Sequence, residues 1–455
     1  MTSTTNEFRK QSLGRVTAAA SIGTLFEWYD FFLSSTVAAI VWPFIFFNFL
    51  SGFLAISLSI ITFAVTFFTR PIGAYIFGHM GDRVGRKSTL IWTPVVMGIG
   101  VFGIALTPNY VSIGIVAPLL IILWRLIFGI GLGGEYGGAM SWVIEYAKDS
   151  KLRSVWVGLV QMVNPLGIAL SAISISILTS SLSRPAFLSW GWRVPFVIGG
   201  IALIFGLLFR YFTAESKMFD EVKKAKKIER WPASRVIKEY PKRTFALAFV
   251  TVFSVGLPAL LLEPYSVAFL TANGLTDSFV TGAVALGAGA GVIACALGSY
   301  LATKIGRKLT QLVGIVGGLV FVFPFFFMVG TLAPLLVYLA YIIIFVVDQI
   351  GFGALAVLGP EQYPTVIRYS GTGMSYQIGT LFVGILLITV VSTFEGVFGT
   401  LNAWPYMTAV FMVFLVIGAV SLKFLREGKD VALEETEEIS QKGATLGMEE
   451  EEVIT

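Results

Sequence analysis

Gly78-His79-Met80-Gly81-Asp82-Arg83-Val84-Gly85-Arg86-Lys87 places a short charged, glycine-rich turn at the junction of two long apolar runs, 53–80 and 89–107. Its ending returns 221 residues later. There, Ala302-Thr303-Lys304-Ile305-Gly306-Arg307-Lys308 joins the apolar runs 279–303 and 309–329. A weaker echo relates the stretch from Glu145 to Arg153 to that from Glu361 to Arg368. Internal repeats of this kind mark secondary transporters.

A spanning helix needs about 20 apolar residues. Besides those four runs, eight more qualify: 16–46, 112–146, 154–182, 192–214, 243–271, 332–360, 368–394 and 402–424. The expected fold class is therefore an all-α integral membrane protein with twelve transmembrane helices. Of the 455 residues, 56% are hydrophobic and only 13% are charged, against about 25% charged in a soluble domain. That composition excludes a soluble enzyme, a disordered chain and a nucleic-acid binder of the usual kind. The first run is too long for a cleaved signal and contains Glu27 and Asp30, so it reads as a retained span. A single cysteine, Cys295, and a single histidine, His79, exclude an internal disulfide, a multi-cysteine metal site and a histidine cluster. No cofactor or metal is expected, and proton chemistry near neutral pH falls to carboxylates.

The expected division is an N-terminal arm 1–15, a six-helix bundle 16–214, a charged linker 215–242, a second six-helix bundle 243–425 and an acidic, unstructured tail 426–455. With the N-terminus placed in the cytoplasm, 28 of the 32 Lys and Arg residues fall in cytoplasmic segments or helix ends. That count includes the eleven from Arg210 to Arg243 in and beside the linker. Only Arg184 and Arg193 fall outside, while Arg70 and Arg125 lie within spans. The asymmetry places both termini in the cytoplasm of a multi-pass plasma-membrane protein. Trp190, Trp192 and Trp404 fall at the outer ends, where an aromatic belt belongs.

A charge at the centre of a span costs about 2.5–3.5 kcal/mol or more, so each one inside is a functional candidate or a structural pair. Glu27 and Asp30 lie on span 1, Arg125 and Glu135 on span 4, Glu263 on span 7 and Asp348 on span 10. These are the first and fourth spans of each half and are expected to line one polar cavity. Glu27 and Asp30, three apart, share a helix face. Glu27, Asp30, Arg125 and Glu135 form the candidate proton-coupling group. The other reading of Arg125, as a purely structural partner for Glu27 or Asp30, stays open. Arg70 reads as a snorkelling or interdomain residue. Tyr29, Gln161, Asn164, Glu263, Tyr265, Asp348, Gln349, Tyr376 and Gln377 are candidate cavity residues, although each tyrosine and amide also fits simple helix packing. Gly129, Gly131, Gly133, Gly134, Gly137 and Gly138 make span 4 smooth, which suits close packing.

Residues 78–87 resemble the loop 2–3 signature of the major facilitator superfamily, and Arg125 with Gly129, Gly131 and Gly133 is similar to its span 4 motif. Further runs resemble its metabolite:proton symporter branch. They are Glu27-Trp28-Tyr29-Asp30-Phe31-Phe32, Arg70-Pro71-Ile72-Gly73, residues 129–139, residues 190–196, and the stretch from Tyr363 to Gly371. The resemblance implies two pseudo-symmetric six-helix bundles, alternating access and proton-driven uptake of a small polar metabolite, either an organic acid or a zwitterionic osmolyte or amino acid. It also implies a cytoplasmic gate, assigned to Gly78, Asp82, Arg83, Gly85, Arg86, Lys87, Glu145 and Arg153. Two departures stand out. Thr303 replaces the aspartate in the second loop, so that lock should be weaker, and Lys217 follows Glu215-Ser216 where the family usually has proline.

The expected function is proton-coupled symport by a chain able to work as a monomer, with a small-molecule substrate, the lipid bilayer and no nucleic acid as partners. An uncoupled facilitator or a sugar porter of the same superfamily is the alternative. Enzyme and sensor readings find no nucleophile with its base, and no stretch long enough for a soluble output domain.

Overall fold

The computed structural model describes residues 12–50, 52–147, 152–225, 227–257, 265–390, 393–394, 396–399, 401–431 and 433. Helices and no strands occur among them. In lipid each backbone polar group must be satisfied within its own segment, and helices meet that demand for runs this apolar. The first half contains α1 (Leu13–Ile40), α2 (Gly52–Ala64), α3 (Thr66–Arg83), α4 (Arg86–Leu106), α5 (Val116–Tyr146), α6 (Arg153–Gln161), α7 (Val163–Ser181) and α8 (Arg193–Tyr211). The linker forms α9 (Lys217–Lys224) and α10 (Pro232–Glu239). The second half contains α11 (Pro241–Gly256), α12 (Ser266–Ala272), α13 (Asp277–Ile305), α14 (Arg307–Gly330), α15 (Pro334–Leu358), α16 (Arg368–Val390) and α17 (Trp404–Ser421).

Among the described residues, ten helices are long and apolar enough to cross a membrane. The expected span 1 is the 28-residue α1, which carries Glu27 and Asp30. The expected span 7 is represented by α11 and α12, and residues 258–264 between them, including Glu263, lie outside the described residues. Span 2 divides at Val65 into α2 and α3, and span 5 divides at Met162 into α6 and α7, between Gln161 and Asn164.

The halves meet along two seams, α3 against α16 and α7 against α13. Span 4 is smooth because three neighbours press against it. A Cβ on Gly133 would overlap the Arg70 carbonyl of α3, one on Gly131 would sit 2.8 Å from the Thr93 carbonyl of α4, and one on Gly137 would sit 2.7 Å from the Tyr369 carbonyl of α16.

Both repeat turns end on a glycine that only glycine suits. Gly85 (φ 137°) precedes α4 and Gly306 (φ 97°) precedes α14. The helix starts are capped alike. The Glu215 carboxylate accepts from the N–H groups of Arg86 (3.0 Å) and Lys87 (3.1 Å), and the Glu427 carboxylate accepts from Arg307 (3.0 Å) and Lys308 (2.9 Å). The expectation of an unstructured tail from residue 426 is therefore corrected for its first residues. Segment 426–431 is tied to the linker-side surface, whereas 434–455 lies outside the described residues. Trp192 also departs from expectation: it is fully buried, edge-on to Phe46 and Phe196, and belongs to the core rather than to a belt.

Candidate functional site

The charged residues of span 1 face two arginines. Glu27 and Asp30 are 2% and 1% exposed. Glu27 Oε2 and both Asp30 carboxylate oxygens have no hydrogen-bond partner among the described residues. Asp30 lies within electrostatic reach of Arg125, and Glu27 of Arg70. Neither contact closes to a direct ion pair among the described residues, so Arg125 balances Asp30 only across a gap. Arg125 lies 5.0 Å from the Phe63 ring and 5.3 Å from that of Phe128, and donates to the Phe63 carbonyl at 3.2 Å. Arg70 sits 4.5 Å from the Phe31 ring and 4.9 Å from that of Phe67. It does not snorkel. It is 1% exposed, and none of its guanidinium nitrogens finds a hydrogen-bond partner among the described residues. Aromatic faces stabilise a desolvated guanidinium by about 2 kcal/mol, which falls short of the cost of burying the charge.

Glu135 lies within electrostatic reach of Glu27 but, unlike it, is itself paired. It forms a two-pronged ion pair with Arg210: Arg210 Nη1 reaches Oε2 at 2.9 Å and Nη2 contacts Oε1. Thr93 donates to the same carboxylate at 2.7 Å and Thr24 at 3.3 Å. Arg210 also donates to the carbonyls of Leu90 and Ala19. Sequence reading counted Arg210 among the bases of the linker and its helix ends, yet it is fully buried and binds α1, α4, α5 and α8 together. The signal that could have found it is an unpaired acid on span 4 with no base assigned to it.

The second half contributes Asp348 and Gln349 of α15, whose side chains bond each other at 2.7 Å. Asp348 Oδ1, Gln349 Oε1, both amide atoms of Gln161 and Oδ1 of Asn164 have no partner among the described residues. Tyr136 and Tyr376 stack across the seam between the halves, 3.6 Å apart, and neither hydroxyl has a partner among the described residues. Tyr376 is in electrostatic reach of Arg70, Glu27 and Asp348 alike, which links the two polar groups. Gln377 points its amide at the Leu132 and Gly133 carbonyls, 3.4 Å away. The Tyr29 hydroxyl donates to Ser174 and to the Pro195 carbonyl, and Tyr265 packs against Phe269 and Phe326 inside the second half.

The linker side is closed by buried charge. Asp82 accepts from the N–H groups of Tyr369 (3.2 Å) and Ser370 (2.8 Å), capping α16 from the opposite half. Arg86 pairs with Asp82 (3.2 Å) and Glu145 (3.1 Å) and donates to the Thr365 carbonyl at 2.6 Å. Arg368 reaches back to Glu145 at 3.2 Å. The second lock is its mirror: Arg307 pairs with Glu361 at 3.1 Å, and Arg153 of the first half reaches Glu361 at 2.6 Å. Thr303 bonds only the Ser299 carbonyl among the described residues, so this lock lacks the cross-half helix cap that Asp82 provides. Gly78 packs on Ser370. Arg83 and Lys87 do not join the lock: Arg83 is exposed and bonds His79, and the Lys87 ammonium lies over Tyr211. At the opposite end, a cleft of about 650 Å³ separates the halves, lined by Ala39, Ile40 and Leu182 on one side and by Thr271, Leu275 and Ser278 on the other. One exposed ion pair, Arg184–Asp277 at 2.9 Å, crosses it.

Two polar clusters at the meeting of two helix-rich halves, with paired gates at one end, form the layout of a carrier. Residues 30–387 match the Major Facilitator Superfamily. The chain belongs to this superfamily. Like its relatives, this superfamily member is a multi-pass membrane transporter and not an enzyme. It is 35% identical over 379 residues to the Inner membrane metabolite transport protein YhjE of Escherichia coli, covering 81% of this chain and 85% of that protein. It is 30% identical to the Shikimate transporter of the same organism (82% and 86% covered) and 27% identical to its Proline/betaine transporter (94% and 90% covered). The proton:xylose symporter XylE shares the fold, with a TM-score of 0.73 at 18% identity over 93% of this chain and 98% of the other. Within this superfamily member, the residues that sequence reading left out of the site are Arg70, Arg210, Glu361, Arg368 and Glu427. All but Arg70, which lies within a span, stand beside a segment boundary in the sequence, and each is buried or capping in the fold.

Proposed function

We propose that this transporter is a proton-coupled symporter of small metabolites bearing a carboxylate, organic acids or zwitterions, working by alternating access. The observation that carries the reading is the pair Arg70 and Arg125, buried in aromatic surroundings with no carboxylate at ion-pair distance among the described residues. A guanidinium offers a planar fork that matches a carboxylate. Glu27 and Asp30, unpaired on the neighbouring helix face, are the proton carriers in this reading, because intramembrane carboxylates facing a polar interior are the groups that relay protons. When they release the proton, their charge competes with substrate for the same two arginines, and this couples the two fluxes. Asp348 and Gln349 face the substrate from the second half. Glu135 is assigned to holding the first half together.

The linker side is assigned to the cytoplasm of the cell membrane, on the distribution of basic residues. The arrangement then corresponds to a carrier closed inward, and one chain suffices for transport. The test is uptake into proteoliposomes under an imposed acid-outside gradient, with labelled organic acids, amino acids, betaines and sugars in parallel. Accumulation of a carboxylate-bearing substrate, abolished by a protonophore, is expected. Glu27→Gln and Asp30→Asn should lose accumulation and keep exchange. Equilibration that ignores the gradient would instead identify an uncoupled facilitator.

A further inference from the structure

The linker carries a cationic, aromatic surface that transport chemistry does not use. On and beside α10, Arg235 pairs with Glu229 at 2.9 Å and with Glu239 at 2.7 Å. The Trp231 N–H and Arg235 outweigh partial burial and hold the Glu229 carboxyl below its ordinary value. Both nearby acids are thereby occupied. Lys227, Arg230, Lys238 and Lys242 are exposed and have no ion pair among the described residues. Asp220 and Glu221 lie one segment earlier, on α9 with Lys223 and Lys224.

Apolar side chains alternate with the four cations. Trp231 is 54% exposed, and Ile228 and Ile237 are exposed too. Trp231 lies 5.7 Å from the His79 ring of α3, and Arg230 lies 5.9 Å from Trp231. The Ser234 hydroxyl is 3.4 Å from that of Tyr75. Tyr75 belongs to the outward face of α3, which also exposes Ile72 and Ile76. The linker surface is thus continuous with the lipid-facing flank of a membrane helix. An amphipathic ring at the interface and free cations beside it are the features that hold phospholipid headgroups.

We propose that Lys227, Arg230, Lys238 and Lys242, with Trp231, form a binding site for the headgroups of anionic phospholipids. Because α10 packs on α3 of the first half and on α11 and α16 of the second, a lipid held there acts on an element that touches both halves. The site does not depend on the transport reading, since lipid retention is measured without any substrate.

The test is native mass spectrometry of the full-length protein released from bilayers of phosphatidylcholine containing rising fractions of phosphatidylglycerol. Wild type should retain phosphatidylglycerol in preference to phosphatidylcholine. Arg230→Gln alone should lower that retention roughly five-fold, as about 1 kcal/mol per interfacial cation implies. The quadruple variant Lys227→Gln/Arg230→Gln/Lys238→Gln/Lys242→Gln should abolish the preference, and Arg230→Lys should keep it. The single variant decides if the quadruple one does not fold. Equal retention by wild type and Arg230→Gln would overturn the proposal. So would no preference for phosphatidylglycerol in wild type, or full displacement of the lipid by inorganic phosphate.

Discussion

Arg125 is stacked among phenylalanines and bonded to a single backbone carbonyl, so most of its hydrogen-bonding capacity is available to a ligand. A charge-assisted hydrogen bond contributes about 1.5–3 kcal/mol, so Arg125→Lys, which keeps the charge and loses the fork, should raise KM about ten-fold or more. Uptake kinetics of the accepted substrate check this, and an unchanged KM would remove Arg125 from the site. At this scale the sequence was informative wherever a charge stood alone in an apolar run. Glu27, Asp30, Arg125 and Asp348 were legible for that reason. In the sequence Arg70 reads as snorkelling or interdomain; its burial removes the first reading, and its electrostatic reach to Tyr376 of the second half leaves the other in place. Arg210 misled because it adjoins a stretch rich in true surface cations. In both cases the rotation of the side chain about its helix decides, and only packing fixes that rotation.

The helices are set at their ends by carboxylates reaching in from other segments. Burial raises the Glu215 carboxyl above its ordinary value, opposed by the Ser216 and Lys87 N–H groups and by Arg86. A raised folded-state value means that the stability linked to the neutral acid is present at low pH and is lost as pH rises through that value. Glu215→Gln should therefore be at least as stable as wild type at neutral pH, with the difference shrinking as pH falls into the carboxylate range. Thermal unfolding in detergent across that range checks the sign. Asp82 caps α16 from the other half, so Asp82→Asn should weaken the closed linker side. Breaking a buried pair costs about 3–5 kcal/mol, enough to repopulate a two-state gate. Spin labels at the exposed positions Val84 and Ile305, in a Cys295→Ser background, should report a longer distance in Asp82→Asn than in the parent. The repeat made Arg86 and Arg307 legible as counterparts. Their caps, Glu215 and Glu427, stayed hidden because each sits in a polar stretch that reads as linker or tail. The shared feature was a glutamate shortly after the last helix of each half.

Across the whole molecule the two ends are held unequally. The linker side has buried networks around Glu145 and Glu361, whereas the exposed Arg184–Asp277 pair crosses the other cleft. An exposed pair contributes at most about 1 kcal/mol. Asp277→Asn should therefore leave the transport rate within about five-fold of wild type, while Glu361→Gln should change it well beyond that by releasing both Arg307 and Arg153. Initial uptake rates of the two variants make the comparison. The twelve-span architecture was legible from apolar run lengths and basic-residue asymmetry. The closed state was not, since one set of residues builds every state of a carrier and only their pairing distinguishes them. The central claim is that substrate and proton cross together through the Arg70–Arg125 and Glu27–Asp30 cluster. Its most direct test is substrate-driven proton movement in vesicles without an imposed gradient. Addition of the accepted substrate should draw protons into vesicles containing wild type, and not into those containing Asp30→Asn. Substrate entry into wild-type vesicles with no accompanying proton uptake would contradict the account.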